Sequence, residues 1–236
     1  MKKVAVLQSS YIPWKGYFDI VNSVDEFILY DDAQYTRRDW RNRNKIITPQ
    51  GVQWLTIPVV QYDFKQKIKD TYVVNAQWQA KHWRSLQQNY KKATCFNLYE
   101  EIFLELYTAT SYEKLSAVNY AFIQKISELL QCKTRLSWSM DYPLAEGKSE
   151  RLLKLVQAVG GTEYLSGPAA KAYLDESLFA AAGITVHWMD YSNYPPYPQQ
   201  GQQPFEHGVS ILDLLFNEGP NAINYMKSFH HQALSL

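Results

Sequence analysis

The feature that most constrains this chain is its first thirty residues. Val4 to Leu7 is a short unbroken apolar run behind two lysines, which predicts a strand buried on both faces, as in a parallel sheet. After a turn at Ser9-Ser10 and Pro13, apolar residues at 17, 18, 20, 21 and 24 follow a helical spacing, and Glu26 to Tyr30 returns to strand character. A β-loop-α-β start of this kind places the loop after the first strand at the carboxyl edge of a parallel sheet, where open α/β folds bind ligands.

The same alternation resumes late in the chain. Thr134 to Ser139, Glu163 to Ser166 and Ile184 to Tyr191 read as strands, with a helix over Ser149 to Val159 capped by Ser149 and a short helix over Glu176 to Ala182. Between the two α/β regions, Lys45 to Thr48 and Val52 to Val60 suggest an antiparallel hairpin. Helical spacing then runs over Gln77 to Lys92, Leu98 to Tyr107 and Tyr112 to Leu130. Asn193 to Gln203 is a Pro/Gln-rich loop, Val209 to Phe216 an amphipathic helix, and His230-His231 a frayed tail. The expected architecture is α/β, a largely parallel sheet flanked by helices, forming one domain over residues 1–236 with a helical insertion at about 77–130.

Composition narrows the function classes. The 24 basic and 23 acidic residues of the 236 leave a net charge of +1, so no global field draws the chain to nucleic acid or an anionic membrane. Cys95 and Cys132 lack CxxC spacing, which argues against a disulfide scaffold or a zinc site and fits a reducing cytoplasm. Neither a signal-peptide core nor a run of membrane-spanning length is visible. Aromatics are the excess: 18 Tyr and 7 Trp, with apolar bodies and polar tips, suit the lining of a cleft.

Several positions could carry chemistry. Gln8, Ser10 and Tyr11 sit in the first strand-to-helix loop, where amides, hydroxyls and a helix terminus can meet an anion, although neither GxGxxG nor the Walker pattern is present. Asp31 and Asp32 follow the second strand and are candidates for base or metal ligand; turn capping is the structural alternative. Arg37, Arg38, Arg41 and Arg43 crowd seven positions together with Asn42, Tyr35 and Trp40, a set suited to phosphate or carboxylate forks and to stacking. Lys65, Lys67 and Lys69 form a thin basic stripe. Ser166 and Gly167 open a turn after a strand, and Lys171 can fold back onto an anion there. His82 and His207 are candidate proton carriers, each with a structural alternative. No GxSxG elbow surrounds Ser166, so a covalent serine mechanism has little support.

Gln8, Tyr11, Pro13, Gly16-Tyr17-Phe18, Tyr30-Asp31-Asp32, Gln34-Tyr35, Arg37, Trp40, Asn42-Arg43-Asn44 and Trp54 to Pro58 together resemble the WbqC-like proteins of bacteria. Leu165 to Pro168, Lys171, Tyr173-Leu174, Tyr191, Pro198, Ser210-Ile211, Asp213 to Asn217 and Gly219 extend the likeness over nearly the whole chain. Ser9 departs from it, since the family usually has proline after the glutamine. The resemblance implies a place in surface-polysaccharide or O-antigen biosynthesis. The opening unit also resembles, at the level of fold alone, HUP-type nucleotide-binding domains.

The expectation is therefore a cytoplasmic group-transfer enzyme. Asp31, Asp32, His82, Lys171 and His207 are its candidate catalytic groups, and its ligand is a small anion: a nucleotide, a nucleotide sugar or an acyl donor. A non-catalytic sugar- or nucleotide-binding protein is the rival, with a nucleic-acid binder behind it. The cofactor, any divalent ion and the oligomeric state stay open.

Overall fold

The computed structural model describes residues 1–109, 111–200 and 204–229; His230-His231 and the end of the Pro/Gln-rich loop lie outside them. A five-stranded sheet forms the centre. Its members are β1 (Lys3–Leu7), β2 (Glu26–Leu29), β7 (Arg135–Trp138), β8 (Glu163–Ser166) and β9 (Thr185–Trp188), in spatial order β7-β2-β1-β8-β9 and parallel throughout. Counted along the chain this is order 3-2-1-4-5, that of the doubly wound nucleotide-binding folds. The chain reverses its direction of travel between β1 and β8, and the carboxyl ends there are Leu7 and Ser166.

Alternation along the strands sorts side chains to two faces. Val4, Val6 and Ile28 pack with Leu152, Leu155 and Val156 of α5 (Lys148–Ala158) and Phe179 of α6 (Glu176–Ala181). Ala5, Phe27 and Leu29 face a larger core holding α1 (Lys15–Asn22), α2 (Gln77–Tyr90), α3 (Phe96–Thr108), α4 (Leu115–Leu129) and α7 (Ile211–Glu218). Residues 30–134, which include α2 to α4, form the single connection from β2 to β7.

Two local expectations change. Val52 to Val60 is not one strand: β4 (Gly51–Thr56) pairs with β3 (Arg43–Thr48), while β5 (Val59–Val60) pairs instead with β6 (Tyr72–Val73). Pro58 lacks an N–H for a ladder, and the Ile57 N–H turns to the Asn42 carbonyl at 2.8 Å. Ser149 is not the cap of α5. Gly147, at φ +87°, takes that position, and Ser149 Oγ accepts the Asp175 N–H at 2.9 Å.

Candidate functional site

A cleft opens at the carboxyl edge where β1 and β8 part. It has two lobes, of about 700 Å³ and 420 Å³, which share Leu7, Trp40, Arg41 and Tyr191 as a common wall. The larger, over the sheet edge, is lined by Gln8, Tyr30, Ser166, Gly167 and the turn that follows, with Lys148 and Arg151 from the start of α5. The smaller is aromatic, built from Trp14, Tyr17, Trp40 and Tyr191, with Ser10, Asn44 and His207 at its border. No Asp or Glu lines either lobe, whereas Arg41, Lys148 and Arg151 do.

Arg41 is the centre of this arrangement. Its side chain is 13% exposed, its nearest carboxylate is Asp39 at 3.9 Å, and its Nε is buried with no hydrogen-bond partner among the described residues. Burial lowers its pKa from the ordinary arginine value, while Asp39, Tyr17 and Asp31 pull the other way. Such a desolvated and nearly unpaired cation is costly in a folded chain and becomes favourable when an anion pairs with it.

The loop bearing Gln8 and Ser10 is held rigidly from behind. Asp31, fully buried, accepts from the Ser9 N–H at 3.0 Å and Ser9 Oγ at 2.9 Å; burial raises its pKa, and these bonds with Arg41 nearby pull it back. Asn119 Nδ2 donates to Ser9 Oγ and to the Arg41 carbonyl, both at 2.9 Å, so one amide ties the loop to the arginine. Ile12 sits at φ +37°, a strained value for a β-branched residue, and Asn44 Nδ2 bridges the Tyr11 and Ile12 carbonyls at 3.1 and 2.8 Å. Asn44→Ala is expected to cost about 1–3 kcal/mol in urea unfolding by leaving both carbonyls unsatisfied. A cost near zero would place the loop's order elsewhere. Gly16 matters for a different reason: a Cβ there would lie 2.3 Å from the Trp14 indole, so glycine lets that ring fold over the start of α1.

The other expected site residues divide into groups. Gln8, Ser10, Trp40, Arg41, Ser166, Gly167 and His207 border the cleft. Asp31 and Asp32 do not. Asp32 pairs with Lys69 at 2.7 Å and Lys67 at 3.3 Å and accepts from Ser139 Oγ at 2.9 Å; burial pushes its pKa up, and Lys69 and Ser139 bring it below the usual carboxylate value. Two lysines of the basic stripe are thereby occupied. Tyr11 and His82 lie in the core: Tyr11 Oη is 2.9 Å from His82 Nδ1 and 2.5 Å from Tyr107 Oη. Lys171 is exposed and lies over the Trp188 ring at 5.4 Å. Tyr35, Arg37, Arg38, Asn42 and Arg43 line a separate pocket. No cluster of three or more His, Cys, Asp or Glu side chains suited to a metal occurs among the described residues.

Trp14, Tyr17, Tyr30, Lys148, Arg151 and Tyr191 are lining residues not anticipated as a site. Arg151 is held in place by donating to the Tyr30 hydroxyl at 3.0 Å and the Ala145 carbonyl at 3.1 Å. The signal that would have found them is strand order, because the reversal between β1 and β8 selects which loops converge.

No helix among the described residues is long and apolar enough to cross a membrane. The chain is 49% identical over 228 residues to the "Uncharacterized protein Rv1507c" of Mycobacterium tuberculosis (strain ATCC 25618 / H37Rv), an alignment covering 96% of this chain and 98% of the relative. No solved structure matches. The WbqC-like protein family matches residues 8–225, so the chain belongs to the WbqC-like protein family.

Proposed function

We propose that this chain is a group-transfer enzyme of bacterial surface-polysaccharide biosynthesis, working in the cytoplasm on a nucleotide- or acyl-activated small molecule. The observation that carries the reading is Arg41, whose side chain is largely buried and whose Nε has no hydrogen-bond partner among the described residues, between two lobes that no carboxylate lines. The sheet-edge lobe, with Lys148 and Arg151, takes the anionic activating group. The aromatic lobe takes a base or sugar ring against Trp14, Trp40 and Tyr191. His207 is the proton carrier in this reading: burial and then Lys15 lower its pKa from the ordinary value of 6.5, which keeps the ring neutral and able to accept a proton near pH 7. Asp31 acts as a positioning residue through Ser9, and His82 and Asp32 hold the scaffold.

The test is a melting series with a nucleotide, a nucleotide sugar and an acyl-CoA. At a hundredfold excess over Kd a true ligand adds about 2.7 kcal/mol, which is a rise of roughly 5–10 °C for a chain of this size. Trp40→Ala should remove most of that rise. No rise with any of the three, or an equal rise in the variant, would overturn the reading. A second reading, binding without turnover, is favoured by one fact: neither aspartate reaches the cleft, so no lining carboxylate can serve as base. A ligand-induced rise with no product formed would decide for it.

A further inference from the structure

Arg41 and Asn42 are consecutive, yet they border different cavities. Beyond Asn42 lies a pocket of about 310 Å³ lined by Tyr35, Arg37, Arg38, Arg43 and Gln61. None of these three arginines has a carboxylate within 4.0 Å among the described residues; the loop's single ion pair of that reach belongs to Arg41.

Two of the guanidiniums are nevertheless fixed, and by neutral partners. Arg37 Nε donates to Gln61 Oε1 at 2.6 Å. Arg43 stacks on the Trp54 ring at 4.1 Å and donates through Nη2 to the Arg38 carbonyl. Arg38 itself sits at φ +57°, in the left-handed region that a side chain bearing a Cβ enters at a cost. Guanidiniums that line one pocket without a carboxylate within ion-pair reach are free to meet a multiply charged anion there. A carboxylate offers two acceptor oxygens and one negative charge to the three guanidiniums, whereas a phosphate offers three acceptor oxygens and nearly two negative charges.

We propose that this pocket is a second ligand site, separate from the cleft, that binds a phosphate group. Its volume suits one phosphate ester better than a nucleic-acid backbone. Following the lining residue Gln61 in the chain, Tyr62 and Phe64 are 80% and 78% exposed, on a segment held where Gln34 Nε2 donates to the Phe64 carbonyl at 2.6 Å. The phosphate could thus be that of a soluble ester or that of a lipid headgroup whose bilayer the two rings enter.

The experiment measures binding of inorganic phosphate by equilibrium dialysis at constant ionic strength, in full-length protein carrying Arg41→Met to weaken the cleft, whose Lys148 and Arg151 remain, so that the site assigned to the pocket is the one that responds to substitution of its own arginines. One saturable site is expected, weakened about tenfold or more by Arg37→Gln and by Arg43→Gln. Arg37 is exposed, so its variant is expected to keep its fold even if loss of the Trp54 stack unfolds the other; melting curves check both. Absence of saturable binding, or equal binding in both folded variants, would overturn the proposal. Co-sedimentation with phosphatidylcholine vesicles containing phosphatidic acid, abolished by Phe64→Ser, would assign the phosphate to a membrane. Phosphate binding with no vesicle binding would assign it to a soluble ester. Failure of the cleft ligands leaves this result unaffected, since the two sites share no lining residue.

Discussion

Arg41→Met is expected to weaken binding of the cleft ligand by about 1.5–3 kcal/mol, ten- to more than a hundredfold, while leaving stability to urea unchanged or higher by about 1 kcal/mol. The two effects have one cause. In the free protein the guanidinium is desolvated and, among the described residues, its nearest carboxylate is 3.9 Å away and its Nε has no partner, so removing the charge relieves the folded state. Methionine keeps most of the stem's volume and leaves no cavity at the wall between the lobes. In the complex an anion would pair with that same cation, and its loss then removes a charge-assisted contact from a site shielded from water. Opposite changes in stability and affinity are the signature of a residue maintained for binding. Urea unfolding with parallel ligand titration reads both. A variant that loses stability by several kcal/mol would show that Arg41 holds the fold through Asp39 and the field of Asp31, and the cleft would then need another anchor.

How much of this arrangement is legible in the sequence depends on the distance over which the signal acts. The unit from Val4 to Tyr30 is legible because burial on both faces of a central strand forces a continuous apolar run, and helical spacing needs no partner to be visible. β6 is not legible, for it is two residues long and is defined by distant partners, β5 on one side and the bridge to Lys114 on the other. The cap of α5 fails for a related reason. Ser149 is the commoner capping residue, but its hydroxyl is claimed by the Asp175 N–H from a distant turn, and glycine supplies the positive φ instead.

The site follows the same rule. Gln8, Ser166 and Gly167 could be placed because each ends or directly follows a strand, and in a parallel sheet all such positions share one edge. The arginine cluster was legible as chemistry and illegible as geometry. No periodicity governs the loop before β3, so nothing in the residue order shows that Arg41 faces one cavity while Arg37, Arg38 and Arg43 face another. Asp32 shows how a pairing partner hides: the lysines that neutralise it stand 35 and 37 residues away and in sequence resemble a basic stripe. The aromatic lobe draws Trp14, Trp40 and Tyr191 from three separate segments, and only the folded chain joins them.

His82 carries the clearest pH prediction. Its Nε2 lies 3.2 Å from the Thr56 carbonyl, which can only accept, so the ring proton sits there and Nδ1 receives the Tyr11 hydroxyl. Burial lowers its pKa from 6.5 to about 4, with a partly opposing effect of the Thr56 hydrogen bond and a further lowering by Lys81. Above about pH 6.5 both folded and unfolded chains hold a neutral imidazole and stability is full. Between about pH 6.5 and pH 4 only the unfolded chain takes up the proton, so stability falls as the pH drops. Below about pH 4 the folded state takes it up as well and the loss levels off. The gap in proton affinity corresponds to about 3 kcal/mol. His82→Gln, whose amide can donate to Thr56 and accept from Tyr11 without titrating, should lack this component. Carboxylates titrate alike in both proteins, so urea unfolding of the pair at pH 7 and pH 4 isolates the histidine. A difference of about 3 kcal/mol in pH sensitivity is the expected result. Parallel curves would mean that the folded protein lets His82 ionise freely, and the Tyr11, Tyr107 and His82 cluster could not then be the neutral, closed support for the first loop that its burial implies.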